Sequence, residues 1–209
     1  MRRFLVSFTF AVLAVLAACA PGARRGLAPA TPDAREPLLI SAAQLDSQRG
    51  DPALVLLHVG TPADYAAAHL PGARLAPLAQ LTVSDTVRKI SAEMPSADTL
   101  RARLAALGVG DRSRIVVYTG KDQWYQTARV LFTLYYAGLG ERAVLLDGGL
   151  PAWVAAGLPI TTGAPSAVRG ALSPLKLRDF VVSADEVQKS IGARGISIVD
   201  ARDAEFYTG

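Results

Sequence analysis

Few side chains in this sequence are equipped for bond-making, and their types limit the chemistry. There is one cysteine, Cys19, and there are two histidines, His58 and His69. A lone thiol excludes an internal disulfide, and one Cys with two His cannot supply the spacings of a zinc site, so no metal or other cofactor is expected. His69, in Ala68-His69-Leu70-Pro71-Gly72-Ala73, offers either a general base or an imidazole that hydrogen-bonds the loop backbone beside Pro71. The structural role is the reading adopted. Asp147 sits in Asp147-Gly148-Gly149, a tight turn whose glycines suit positive φ, so it too reads as structural. Lys121 and Trp124 lie in a polar loop between two apolar stretches. Trp124 is expected to pack against a neighbouring domain rather than touch a ligand.

Cys19 itself stands apart from anything that reads as folded domain. Met1-Arg2-Arg3 gives a positive start, and Phe4 to Ala18 is an uncharged, mostly apolar run of fifteen residues. As a helix that run reaches about 22 Å, short of a hydrocarbon core of roughly 30 Å, which suits a signal-peptide core better than a permanent span. It ends Leu16-Ala17-Ala18-Cys19, which resembles the lipobox of bacterial lipoproteins. The resemblance implies that residues 1–18 are removed and that the Cys19 thiol carries the lipid. An ordinary secretory signal cut near Ala20 is the alternative. Export to the periplasmic side of a bacterial envelope is expected, with the lipid in the membrane. Ala20 after the Cys favours the outer membrane, because an Asp there usually marks inner-membrane retention. Residues 19–37, rich in Ala, Pro, Gly and Arg, read as a tether.

Composition places the rest among globular proteins. Hydrophobic residues make up 51% and charged residues 19%, and the formal net charge is only +4. That balance argues against disorder. No stripe of Lys and Arg interleaved with aromatics appears, so nucleic acid is excluded as a partner.

The elements that must position these groups follow from pattern. Ser41 with Gln44 is a capping box for a short helix through Leu45. Ala53 to Val59 is nearly continuous apolar sequence, as in a strand buried on both faces. Thr61 and Pro62 open a helix through Ala68. Ser96 to Leu107 reads as a helix with Leu100, Leu104 and Leu107 on one face, closed by Gly108. Ile115 to Tyr118 is a second buried strand, followed by a helix from Tyr125 to Ala137 that Gly138 closes. Ala143 to Leu146 is a third strand and Leu150 to Ala156 a further helix, stopped by Gly157 and Pro159. Trp153, Tyr135 and Tyr136 are expected in the core. Alternation of this kind predicts an α/β domain, a central parallel sheet with helices on both faces.

The chain also repeats. The offset that carries Ile40-Ser41-Ala42-Ala43-Gln44-Leu45 to Val182-Ser183-Ala184-Asp185-Glu186-Val187 carries Leu54–Val59 to Ile196–Ala201 and Tyr65 to Tyr207. A second copy therefore begins near Phe180. The expected organisation is a first domain over 38–163, a linker over 164–179, and the start of an incomplete second domain over 180–209.

Ala68-His69-Leu70-Pro71-Gly72-Ala73 resembles the Gly-His-Ile-Pro-Gly-Ala motif of rhodaneses. Ala128-Arg129-Val130 with Phe132, Leu146-Asp147-Gly148-Gly149-Leu150 and Trp153 resemble the closing half of that domain. Val199-Asp200-Ala201-Arg202-Asp203 resembles the Asp-x-Arg motif that opens it. In this order the motifs identify the chain as similar to tandem rhodanese-type sulfurtransferases, which use thiosulfate or 3-mercaptopyruvate. The resemblance implies a persulfide-forming Cys after the strand ending at Tyr118, where backbone N–H groups and a helix N-terminus lower a thiol pKa. Here that position is Thr119. Tandem members commonly lack the Cys in the first domain, so the catalytic thiol is expected beyond Gly209 and the chain itself is expected to be inactive.

The Asp-x-Arg positions of the first copy hold His58 and Gly60, so that copy has little reason to bind an anion. Arg202 either lines the second copy's substrate pocket, where its planar fork suits a sulfonate or carboxylate, or forms a salt bridge to Asp200 or Asp203. The implied partners are a small sulfur donor, a thiophilic acceptor and the membrane, with the protein a monomer. Two other functions stay open. One is an inactive module serving as a membrane-anchored docking or sulfur-relay scaffold. The other is a phosphatase-like relative of the same fold.

Overall fold

The structure is a computed structural model that describes residues 38–87, 89–163 and 169–208. Cys19 and the leader and tether lie outside them. In chain order the elements are β1 (Leu39–Ile40), α1 (Ala42–Asp46), β2 (Leu54–Val59), α2 (Pro62–Ala67), β3 (Arg74–Leu75), β4 (Val83–Asp85), β5 (Ile90–Glu93), α3 (Ala97–Ala106), β6 (Arg114–Thr119), α4 (Trp124–Tyr136), β7 (Ala143–Leu146), α5 (Gly149–Ala155), α6 (Ala184–Ser190) and α7 (Ala204–Thr208).

The helices start where their caps dictate. Ser41 accepts from the Gln44 amide while Gln44 reaches back to the Ser41 N–H, and Thr61 with Asp64 repeats the arrangement before Pro62. Each such box satisfies two N–H groups that a helix start otherwise leaves unpaired. Ser96 caps α3, and Gly108 leaves it at φ +81°, a conformation that a side chain would strain.

Five strands form one sheet in the order β1-β7-β6-β2-β3, every neighbour parallel, while β4 and β5 make a separate antiparallel pair. β2 and β6 lie side by side along their whole length, from Leu54 beside Arg114 to Val59 beside Thr119. Their alternating side chains feed two cores. Val55, Leu57, Val59, Ile115 and Val117 meet Leu100 and Leu104 of α3 and Val130, Leu131 and Leu134 of α4. Leu56, Val116 and Tyr118 meet Leu45 of α1 and Leu150 and Trp153 of α5. Each fully buried aliphatic side chain of this kind contributes about 1.5–3 kcal/mol, so the paired strands anchor both cores. The expected α/β architecture with helices on both faces is what the chain adopts.

Three details differ from the sequence reading. Tyr135 is exposed at the surface of α4, although its neighbour Tyr136 packs against the core as expected. The His69 imidazole bonds the carbonyl of Tyr65, at 2.7 Å, rather than the loop beside Pro71. Residues 196–199 pair with no strand among the described residues, and Val199 is 81% exposed. Segment 196–201 has the composition of β2 without the flanking strands that β6 and β3 give β2. α6 begins on a Ser183–Glu186 capping box, and α7 lies at the offset that relates Ser183 to Ser41.

Candidate functional site

In parallel α/β sheets, ligands gather outside the carboxyl ends of the strands. The central pair here ends at Val59 and Thr119, in register. From Thr119 the chain turns through Gly120–Gln123 and enters α4, so the end of β6 faces a helix N-terminus with its partial positive charge. The Gly120 N–H donates back to Val59 O at 3.0 Å and holds the loop over the sheet.

Thr119 occupies the inside of that loop. It is completely buried. Its hydroxyl donates to the Lys121 carbonyl and accepts from the Gln123 N–H at 3.1 Å. Its methyl abuts Gly149, where an added Cβ would come within 2.6 Å of Cγ2. Gly148 and Gly149 have φ of 68° and 57°, so the Asp147-Gly148-Gly149 turn does demand positive φ, and Asp147 stays at the surface. Thr119 both donates and accepts within the loop it would have to serve. A hydroxyl in this place cannot take up sulfur as a persulfide, which needs a thiolate.

Beneath the loop lies a buried polar group, His58. The Leu70 N–H donates to the Tyr118 hydroxyl at 3.1 Å, and the same hydroxyl shares a hydrogen bond with His58 Nδ1 at 3.2 Å. Nε2 has no hydrogen-bond partner among the described residues and fills the space that side chains at Gly60 and Gly120 would take, 2.8 and 2.3 Å from their would-be Cβ atoms. Burial pulls its pKa from 6.5 down to about 4, with the neighbouring His69 adding to the fall and Asp64 opposing it. Tyr65 stacks on His69 at 3.7 Å, packs edge-on against His58 at 5.3 Å and donates to Ala73 O at 2.7 Å. Desolvation raises the pKa of both Tyr65 and Tyr118. Aromatic rings pack this floor, and no hydrogen bond joins either histidine to Thr119 among the described residues.

A loop cradled at a strand end, a histidine stacked on Tyr65 just ahead of a Pro-Gly turn, and an Asp-Gly-Gly turn behind the loop form one constellation. Residues 41–156 match the rhodanese-like domain family. The chain belongs to that family. A probable 3-mercaptopyruvate sulfurtransferase of Pseudomonas aeruginosa is 30% identical over 182 residues, covering 82% of this chain and 63% of the relative. A putative thiosulfate sulfurtransferase of Mycobacterium tuberculosis, SseB, is 33% identical over 190 residues, covering 84% and 65%. The chain thus spans less than two thirds of the length of either relative. The solved structure of SseA from Escherichia coli, a 3-mercaptopyruvate sulfotransferase, superposes with a TM-score of 0.70 at 23% identity, over 81% of this chain and 67% of that one. At that identity the likeness bears on the rhodanese fold.

The other residues singled out from sequence are not drawn into the loop. Arg202 pairs with Asp200, Nη2 to Oδ2 at 2.5 Å and Nε to Oδ1 at 2.9 Å, in an exposed position. That pairing and the accompanying backbone bond hold Asp200 down at about 2. Lys121 is exposed and Trp124 is 45% exposed, its ring uncovered at the start of α4. The buried His58 network is the feature that sequence reasoning passes over. Its only signal is a histidine inside a strand-like apolar run, with Gly60 two residues on and Gly120 beyond the partner strand.

Proposed function

We propose that this chain is the leading part of an exported, lipid-anchored tandem sulfurtransferase whose first rhodanese-like domain is not catalytic. The complete protein moves sulfane sulfur from thiosulfate or 3-mercaptopyruvate to a thiophilic acceptor through a cysteine persulfide in the second copy. The thiolate attacks the outer sulfur of thiosulfate, an S–S bond forms and sulfite leaves. The acceptor then attacks the sulfane sulfur and the cysteine departs as thiolate. With 3-mercaptopyruvate the carbon–sulfur bond breaks instead, and pyruvate leaves after taking a proton.

The observation that carries this reading is Thr119, fully buried with its hydroxyl bonded into its own loop. An alcohol cannot hold a sulfane sulfur, so the chemistry needs another thiol. The names of the curated relatives support the reaction class. The second copy is supported by the recurring capping boxes at Ser41 and Ser183 and by the Asp200-Ala201-Arg202 sequence. Arg202 is proposed to bind the anionic donor once that copy is complete, exchanging Asp200 for substrate. Cys19 is proposed as the lipid attachment point on the periplasmic side.

The test is to express the complete coding sequence and assay both donors with cyanide as acceptor. Turnover that alkylation abolishes and Thr119→Ala preserves is expected. No turnover with either donor would replace this reading with the scaffold one. Loss of turnover in Thr119→Ala would place chemistry in the first domain.

A further inference from the structure

The sequence marks the stretch before Phe180 as a connection between copies, yet its described part is bonded to the domain at every few residues. Residues 169–180 form no helix or strand. The Gly170 N–H donates to Ala105 O at 2.8 Å, and the Asp111 N–H donates to Ala171 O at 3.0 Å. Asp111 accepts from the Ser173 N–H at 2.8 Å and from its hydroxyl at 2.7 Å. These two bonds hold the Asp111 carboxyl below its usual range. The Arg178 N–H donates to Tyr136 O at 2.8 Å. Leu172 is 8% exposed within the α3–α4 core, and Leu175 packs against it.

Two glycines report the closeness of this contact. A Cβ at Gly170 would lie 2.1 Å from Val109 O, and one at Gly110 would lie 3.0 Å from Ala171 O. Neither residue has the positive φ that would call for glycine as a turn former, so backbone approach is the reason for both. Beyond Arg178 the chain climbs α4. Phe180 sets its edge against Phe132 at 5.3 Å and Tyr136 at 6.2 Å, and Val181 lines a groove with Arg129. The direction is from the C-terminal end of α4 toward the end that carries the Thr119 loop.

We propose that residues 169–180 are a strap integral to the first domain, extending its folding unit past the matched family region. The strap also fixes the point of departure of whatever follows, on the flank of α4, where a free linker would leave it variable. Its bonds hold whether or not the complete protein is a sulfurtransferase.

Hydrogen exchange and thermal unfolding of the full chain test it, comparing the unaltered protein with Gly170→Ala, Ser173→Ala and a control, Gly50→Ala, whose Cβ meets nothing within 4 Å. The amides of Ser173 and Arg178 should be protected in the unaltered protein. Gly170→Ala should lower Tm by at least about 4 °C and expose those amides, while Gly50→Ala changes neither. Should Gly170→Ala not fold, Ser173→Ala must still speed exchange at 173 and 178 with β6 protection retained. Exchange at 173 and 178 as fast as at 196–199, or a Gly170→Ala protein indistinguishable from Gly50→Ala, would overturn the strap.

Discussion

Lowering the pH from 7 to 5 should weaken this domain through one residue, His58. Folded, its pKa is about 4, against an ordinary value of 6.5. Between those values the unfolded chain binds a proton that the folded domain refuses, so stability rises with pH across the window and falls on acidification. The loss begins as pH drops through 6.5 and levels off below 4. Linkage puts it at about 2 kcal/mol by pH 5 and about 3 kcal/mol by pH 4. Against a total of about 5–15 kcal/mol for a small domain, that is readily measured. The cause is specific: the ring is buried, Nδ1 is already committed to Tyr118, Nε2 has no partner among the described residues, and His69 stands nearby. A positive charge on the ring would meet backbone at Gly60 and Gly120 and the neighbouring His69, with Asp64 offsetting part of the cost. Urea unfolding of the chain at pH 7, 6 and 5, beside His58→Asn, isolates the effect, since carboxylates remote from the ring, such as Asp111, titrate alike in both proteins. The midpoint of the unaltered chain should fall more steeply than that of the variant. Parallel pH profiles would refute the claim that His58 is buried neutral.

Other outcomes follow from the same geometry. Gly149→Ala should cost at least about 1 kcal/mol in urea unfolding, because φ +57° disfavours a side chain and the Cβ would press on Thr119; an unchanged midpoint would mean the turn is looser than described. Expression with labelled fatty acid should mark the chain and fail to mark Cys19→Ser, and equal labelling of both would remove the lipoprotein proposal. Thr119→Ala should speed exchange of the Gln123 amide, which loses its Thr119 acceptor and keeps only its bond to the Lys121 carbonyl at 2.8 Å, while the amide of Val117 within β6 keeps its protection.

Patterns dominated by local chemistry are legible in the amino-acid sequence alone. Ser41–Gln44 and Thr61–Pro62 place two helix starts, and the apolar runs of β2, β6 and β7 declare a buried parallel sheet. β1 and β3 are not legible, because two residues such as Leu39–Ile40 or Arg74–Leu75 become strands only by lying against β7 and β2. The β4–β5 pair escapes for a related reason. Ala92 sits there at φ +59° with its carbonyl accepting from Arg129 of α4, 2.7 Å away, a tertiary contact that no local propensity anticipates. Thr119 can be named from its place after the second strand. That its hydroxyl closes the loop on itself depends on where Lys121 and Gln123 fold back, which spacing does not fix. The strap reads as linker because its bonds all go to residues distant in sequence, such as Arg178 to Tyr136 and Gly170 to Ala105.

The most direct test of the central claim is a thiosulfate–cyanide assay on the 209-residue chain carrying Cys19→Ser, read together with intact mass after incubation with each donor. The expected result is no turnover above buffer and no species heavier by one sulfur atom, because the persulfide position holds the buried Thr119. Thiocyanate formation, or a sulfur adduct mapped to any residue between 38 and 208, would contradict it.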